Sequence, residues 1–193
     1  MKIKQLTLKE FKVQFALGSI EDVWKLTKSK RTSPDILEEL YFYADQYEKQ
    51  NPYDFRMNIL TNPKLSSKTL QRVYDYLQRQ TNNINDCERW YQLIGTVLRH
   101  PNLPRSIIDK NLKTIKLWPD ENILLNPSLT HEDLKNAVQN IGQHRFILQN
   151  KNCPDDILVD CLNYPYLEKL SIQCLRRRGA KVVVKFQGNE IEI

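Results

Sequence analysis

Three histidines, four cysteines and a run of three arginines carry most of the chemical potential of this sequence of 193 residues. A metal centre or an acid–base set built from His100, His131 and His144 would need two of them at ligand spacing on one helix, and no pair has it. His100 precedes Pro101 in a loop phrase, His131 falls in the first turn of a predicted helix, and His144 precedes Arg145 at the start of another. Loop and terminus geometry accounts for all three.

Cys87, Cys153, Cys161 and Cys174 include no Cys-x-x-Cys pair, and a chain of this size needs no disulfide to fold. We expect reduced thiols, with Cys153, Cys161 and Cys174 acting as small apolar core residues. The five glycines are isolated, so no phosphate-cradling loop is present, and the nucleophile-elbow and zinc-protease motifs are absent as well. The carboxylate pairs Glu38-Glu39, Glu132-Asp133 and Asp155-Asp156 sit at predicted helix starts or along exposed helix faces, where the helix dipole explains the first-turn acids. No catalytic set emerges, and no cofactor or metal is expected.

The net charge of +6 comes from 29 basic and 23 acidic residues spread thinly along the chain, which is unlike a dedicated nucleic-acid binder. Its densest run, Arg176-Arg177-Arg178 with Lys181 and Lys185 beyond it, could meet phosphate. Complementing a helix C-terminus is the simpler role. If helices gathered distant cations onto one face, Arg72, Arg79, Arg99, Arg105, Lys110, Lys113 and Arg145 would join that set.

The elements that position these residues come from an internal repeat. Residues 59–70 read ILTNPKLSSKTL, 97–108 VLRHPNLPRSII, 123–134 ILLNPSLTHEDL and 147–158 ILQNKNCPDDIL, so the copies start 38, 26 and 24 residues apart. A weaker copy occupies 161–172, and KSKRTSPDILEEL near 28–40 is a degenerate first one. In each, an aliphatic pair closes one helix, Asn or His ends it, and Pro discourages continuation. Leu or Cys then plugs the loop, and Ser66, Thr130, Pro104 or Pro154 opens the next helix, the prolines at its first position. A period of 20–50 residues is the signature of stacked helical pairs.

This phrase resembles the Asn-Pro-x-Leu-Pro core of the leucine-rich repeat variant family, helical solenoids akin to HEAT repeats with a unit near 24 residues. The matching residues are Asn62-Pro63-Lys64-Leu65, His100-Pro101-Asn102-Leu103-Pro104, Asn126-Pro127-Ser128-Leu129 and Asn150-Lys151-Asn152-Cys153-Pro154, with Arg56 and Arg145 upstream. The likeness spans roughly residues 53–172. The spacing is less regular than in that family, and the cysteine-ligated iron–sulfur module of its best-known architecture has no counterpart here. The resemblance therefore implies a fold and no function.

Outside the repeats, Thr7-Leu-Lys-Glu10 reads as a capping box opening a helix that Gly18 stops, and Ser19 and Ser33-Pro34 open two more. A last helix runs to Arg178 and stops at Gly179. The tail, with Lys181–Phe186, the turn pair Gly188-Asn189 and Glu190–Ile193, reads as a short β-hairpin; Met1-Lys-Ile-Lys could add a strand to it.

The sequence thus predicts an all-α fold, a right-handed α-solenoid of about ten to twelve short stacked helices (residues 1–178) with a small C-terminal β-hairpin (179–193) packed on it. No segment approaches the length of a membrane span and no signal-peptide run opens the chain, so a cytoplasmic location is expected. The expected function is non-enzymatic binding through a protein–protein surface, of adaptor, inhibitor or immunity and counter-defence type. The alternative is a nucleic-acid binder using a basic face.

Overall fold

The structure is a computed structural model and describes residues 7–15, 20–80, 87–114, 120–141, 144–179, 183–186 and 189–192. The expected stop at Gly18, the cap at Ser19, the possible strand at residues 1–4, Lys181 and the turn glycine Gly188 lie outside these residues. Where the sequence points to one helical body ending at 178, the contacts divide the chain into two compact units, Met1–Lys110 and Asn111–Ile193.

The first unit holds α1 (Leu8–Phe15), α2 (Ile20–Lys28), α3 (Pro34–Phe42), α4 (Ala44–Tyr47), α5 (Pro52–Leu60), α6 (Ser67–Gln80), α7 (Cys87–Leu98) and the start of α8 (Arg105–Thr114). Local chemistry sets the helix starts. Thr7 and Glu10 form the expected capping box, the Thr7 N–H donating to Glu10 Oε2 at 2.8 Å and the Glu10 N–H to Thr7 Oγ1 at 3.3 Å. Ser66 Oγ accepts the Thr69 N–H at 3.0 Å to open α6. Along α6, Leu70, Val73, Tyr74 and Leu77 recur at helical spacing and are all buried, each contributing roughly 1.5–3 kcal/mol. Helix α5 occupies the middle of this unit, packed on α2, α3, α4 and α7 through Phe55, Ile59 and Leu60.

The second unit holds a 3-10 turn (Asp120–Leu125), α9 (His131–Ile141), α10 (His144–Gln149), α11 (Asp155–Asp160), a second 3-10 turn (Cys161–Asn163) and α12 (Pro165–Arg177). Thr130 and Asp133 cap α9 reciprocally, at 2.8 and 3.1 Å, with Asp serving in the place usually held by Glu. Pro154 stands one residue earlier than expected, at the N-cap of α11. There its extended backbone (ψ 145°) lets its carbonyl accept the first helical bond, from Leu158. Gly179 ends α12 with φ +68°, the left-handed conformation that favours glycine.

The corners are locally alike. In each strong copy the polar residue donates its N–H three residues back, Asn62 to Ile59, His100 to Val97, Asn126 to Ile123 and Asn150 to Ile147, at 2.9–3.0 Å. Leu65, Leu103, Leu129 and Cys153 then donate back to that residue's carbonyl at 3.0–3.3 Å, and all four are buried. Ser29 and Thr32 keep both bonds in the degenerate first copy, and so do Tyr164 and Leu167 in the weak one.

One expectation is corrected. Among the described residues the fold is all-α, with twelve helices, and the β-hairpin expected to pack on that body is not part of it. The tail segments β1 (Val183–Phe186) and β2 (Asn189–Glu192) pair antiparallel with each other, Val183 opposite Glu192 and Phe186 opposite Asn189. Among the described residues, no helix shares a principal contact with either segment. Alternating β-propensity is enough for such a pairing, but two strands alone are marginal and supply no layer for the helices to pack on. No helix among the described residues is long and apolar enough to cross a membrane.

Candidate binding surface

The polar corner residues Asn62, His100 and Asn150 are taken up by the fold. Asn62 donates through Nδ2 to the carbonyls of Thr27 and Ser29 at 2.8 and 3.1 Å, while its Oδ1 accepts the Lys64 N–H at 3.0 Å. His100 does the same with a ring: Nε2 reaches the Asn62 carbonyl at 3.0 Å and Nδ1 accepts the Asn102 N–H at 3.1 Å. A carbonyl can only accept and an amide N–H can only donate, so the ring is the neutral Nε2–H tautomer. Burial holds the His100 pKa below its ordinary 6.5, against the opposing pull of the Asn62 carbonyl. Neither nitrogen is left for a metal or for proton transfer.

In the second unit Asn150 donates to Leu124 and Asn126 at 2.7 and 2.9 Å and accepts from Asn152 at 2.8 Å. The residue two places on adds a second rung. Asn102 donates to the carbonyls of Pro63 and Leu65 at 3.0 and 2.9 Å, and Asn152 to those of Pro127 and Leu129 at 2.7 and 3.3 Å.

Arg178 enters the same scheme. Its N–H bonds back to Leu175, as a corner asparagine's does to its aliphatic partner. Its guanidinium donates to the carbonyls of Asn150 and Lys151 at 3.3 and 3.2 Å, to that of Cys153, and to the Asp155 carboxylate at 2.8 Å. The residue singled out as a phosphate ligand thus caps a corner. Its neighbours Arg176 and Arg177 are exposed at the end of α12.

The other basic candidates are divided between the units. Arg72, Arg79, Arg99, Arg105 and Lys110 belong to the first, and Lys113 and Arg145 to the second, all exposed. Several are engaged already. Arg72 pairs with Glu38, Arg105 with Asp109 at 2.8 Å, and Arg79 Nε donates to the Asp75 carbonyl at 3.2 Å. Cys153 is buried, which pushes its thiol up to about 12, and burial raises Cys161 as well; neither is poised as a nucleophile. The side chains of Cys87 and His144 lie outside the described residues, and His131 is exposed in the first turn of α9.

A further surface lies within the first unit and includes Trp90, whose helical spacing points to the core. Tyr41 and Phe42 of α3, Tyr76 of α6 and Trp90 of α7 form a continuous edge-to-face row, with ring centroids 5.4, 5.9 and 6.2 Å apart. Tyr41 is buried, whereas Phe42, Tyr76 and Trp90 are half-buried and keep part of each ring in solvent. Guanidinium groups lie along the row: Arg72 over Phe42 at 4.9 Å and Arg56 over Tyr41 at 5.9 Å, with Arg89 over the neighbouring Tyr53 ring at 5.8 Å.

Beside Trp90 opens a cleft of about 150 Å³ between α5 and α7, lined by Pro52, Tyr53, Arg56, Arg89, Trp90 and Leu93. Its walls are tied by the Tyr53 hydroxyl, which donates to Gln92 Oε1. Arg56, only 7% exposed, is held by the Tyr41 carbonyl at 3.3 Å and by Asp45 at 2.7 Å. The signal was present in the adjacent Arg89-Trp90 at the start of α7. A helical pattern alone assigns such a tryptophan to the core.

No family model, no curated protein and no solved structure matches this chain.

Proposed function

We propose that this chain is a non-enzymatic, helical-repeat binding module that acts on another protein through the aromatic and arginine surface of its first unit. The observation that carries this reading is the row Phe42, Tyr76 and Trp90 with Arg72 and Arg89 laid against aromatic rings. Tyr, Trp and Arg are the residues that most often anchor protein interfaces, because they bury large area at low entropic cost and retain polar edges. Two further features favour a protein partner. The corner asparagines and His100 are occupied by backbone, and three of the basic candidates, Arg72, Arg105 and Arg178, are already paired with Glu38, Asp109 and Asp155.

Nucleic-acid binding has one observation of its own: Lys30, Arg31 and Lys64 border a depression at the first corner, beside Ser33 and Pro34. Affinity capture of the full chain from its own cells, at two salt concentrations, separates the readings. A protein partner should survive the higher salt and be lost from a Tyr76→Ala/Trp90→Ala variant. Recovery of nucleic acid alone, released steeply by salt, would overturn the proposal.

A further inference from the structure

Resting on that reading, we infer that the cleft between α5 and α7 is a peptide-recognition site for an acidic segment that carries one apolar side chain beside a carboxylate. Three features of the cleft lead there. Its apolar part is Pro52 and the exposed portion of Trp90, with the buried Leu93 at its floor. Its polar part is two guanidinium groups and no lining carboxylate, so an anion is complementary.

The third feature is the state of those guanidinium groups. Arg89 rests 5.8 Å over the Tyr53 ring and has no carboxylate partner among the described residues. That distance is within cation–π range, and no hydrogen-bond partner among the described residues occupies its donors, which suits a bidentate grip of a carboxylate. Arg56 spends Nε on the Tyr41 carbonyl and Nη2 on Asp45, leaving Nη1 without a partner among the described residues on a side chain that lines the cleft. Asp45 is bound to Arg56, and Asp54 and Glu88, whose charges reach Tyr53, do not line the cleft. An incoming carboxylate therefore meets Arg89 as its main contact, with Arg56 behind it, and its apolar neighbour fills the space over Leu93.

The test uses the full chain and fluorescein-labelled nine-residue peptides of glutamate with Leu, Phe, Trp or Pro at the centre, read by anisotropy. Controls are the lysine counterparts, an all-glutamate peptide without the apolar centre, and a labelled single-stranded oligonucleotide. At least one apolar-centred acidic peptide should bind, its lysine counterpart should not, and the all-glutamate peptide should bind about tenfold more weakly or worse. Arg89→Ala should weaken binding about tenfold or more, and Arg89→Lys should fail to restore it, since an ammonium presents no fork. Arg89 is exposed, and far-ultraviolet circular dichroism checks that each variant is folded.

The assignment is overturned if no acidic peptide binds, if Arg89→Ala binds as the parent does, or if the oligonucleotide binds in the peptide's place. Failure here with a protein partner still captured removes the cleft and leaves the binding module standing. Failure of both assays removes both.

Discussion

Arg178 donates from Nη2 to the Asn150 carbonyl oxygen at 3.3 Å, the bond that Asn150 itself makes one corner earlier to Asn126, at 2.9 Å. With its other donors on Lys151 and Cys153, one guanidinium reaches the carbonyls corresponding to those that Asn150 and Asn152 reach together at Asn126, Pro127 and Leu129. A longer, five-donor side chain replaces two short amides.

Removing that cap should therefore cost what a part-buried, charge-assisted set of bonds is worth. Arg178→Ala should lose about 2 kcal/mol of stability in urea unfolding, because the last corner's carbonyls are left without their donor. Arg178→Lys should recover only part of this. Arg176→Ala, exposed two residues earlier, should change stability by less than about 0.5 kcal/mol. Equal effects at 176 and 178 would show that the cap contributes nothing.

His100 makes stability depend on pH. Its native pKa lies below the 6.5 of the free side chain, because burial disfavours the cation and Nδ1 must stay unprotonated to accept from Asn102. The unfolded chain therefore binds the proton more tightly. The contribution of His100 is whole above about pH 6.5 and is lost as the pH falls from there towards its native value. His100→Asn, the residue used at the other corners, should retain the fold and remove this part of the acid sensitivity. His100→Ala should cost about 2 kcal/mol at neutral pH. The check is the unfolding midpoint between pH 5 and 8 for the three proteins; an identical slope for parent and Asn variant would refute the role.

Tyr41 supplies a test in the opposite direction. Its hydroxyl is fully buried and has no hydrogen-bond partner among the described residues, and burial raises its pKa far above the usual phenolic value. Tyr41→Phe keeps the ring that Arg56 and Phe42 contact and removes an unsatisfied polar atom. Stability should stay level or rise by up to about 1 kcal/mol, measured by thermal and urea unfolding. A loss above about 1 kcal/mol would mean that the hydroxyl has a partner.

How far the sequence reaches can be followed residue by residue. Helix starts at Thr7, Ser66 and Thr130 are written in side chains that bond within three residues, so they were legible. So were the buried positions of Leu65, Leu103, Leu129 and Cys153, because one local phrase sets each of them. The tail illustrates the converse. Strand propensity in the tail suggested a hairpin as part of the fold, but propensity could not say whether a sheet belongs to the architecture, which depends on a face that other elements must offer.

By itself, then, the sequence determined where the chain bends, which residues plug the bends and that the body is helical, since all of these follow from contacts between near neighbours. Tertiary structure alone decided what Asn62, His100 and Asn150 grip, because those carbonyls lie some 24 to 38 residues away and nothing local encodes their approach. It also turned Arg178 from a candidate phosphate ligand into a cap, and it set Arg89 of α7 beside Tyr53 of α5 to line a cleft that neither helix makes alone.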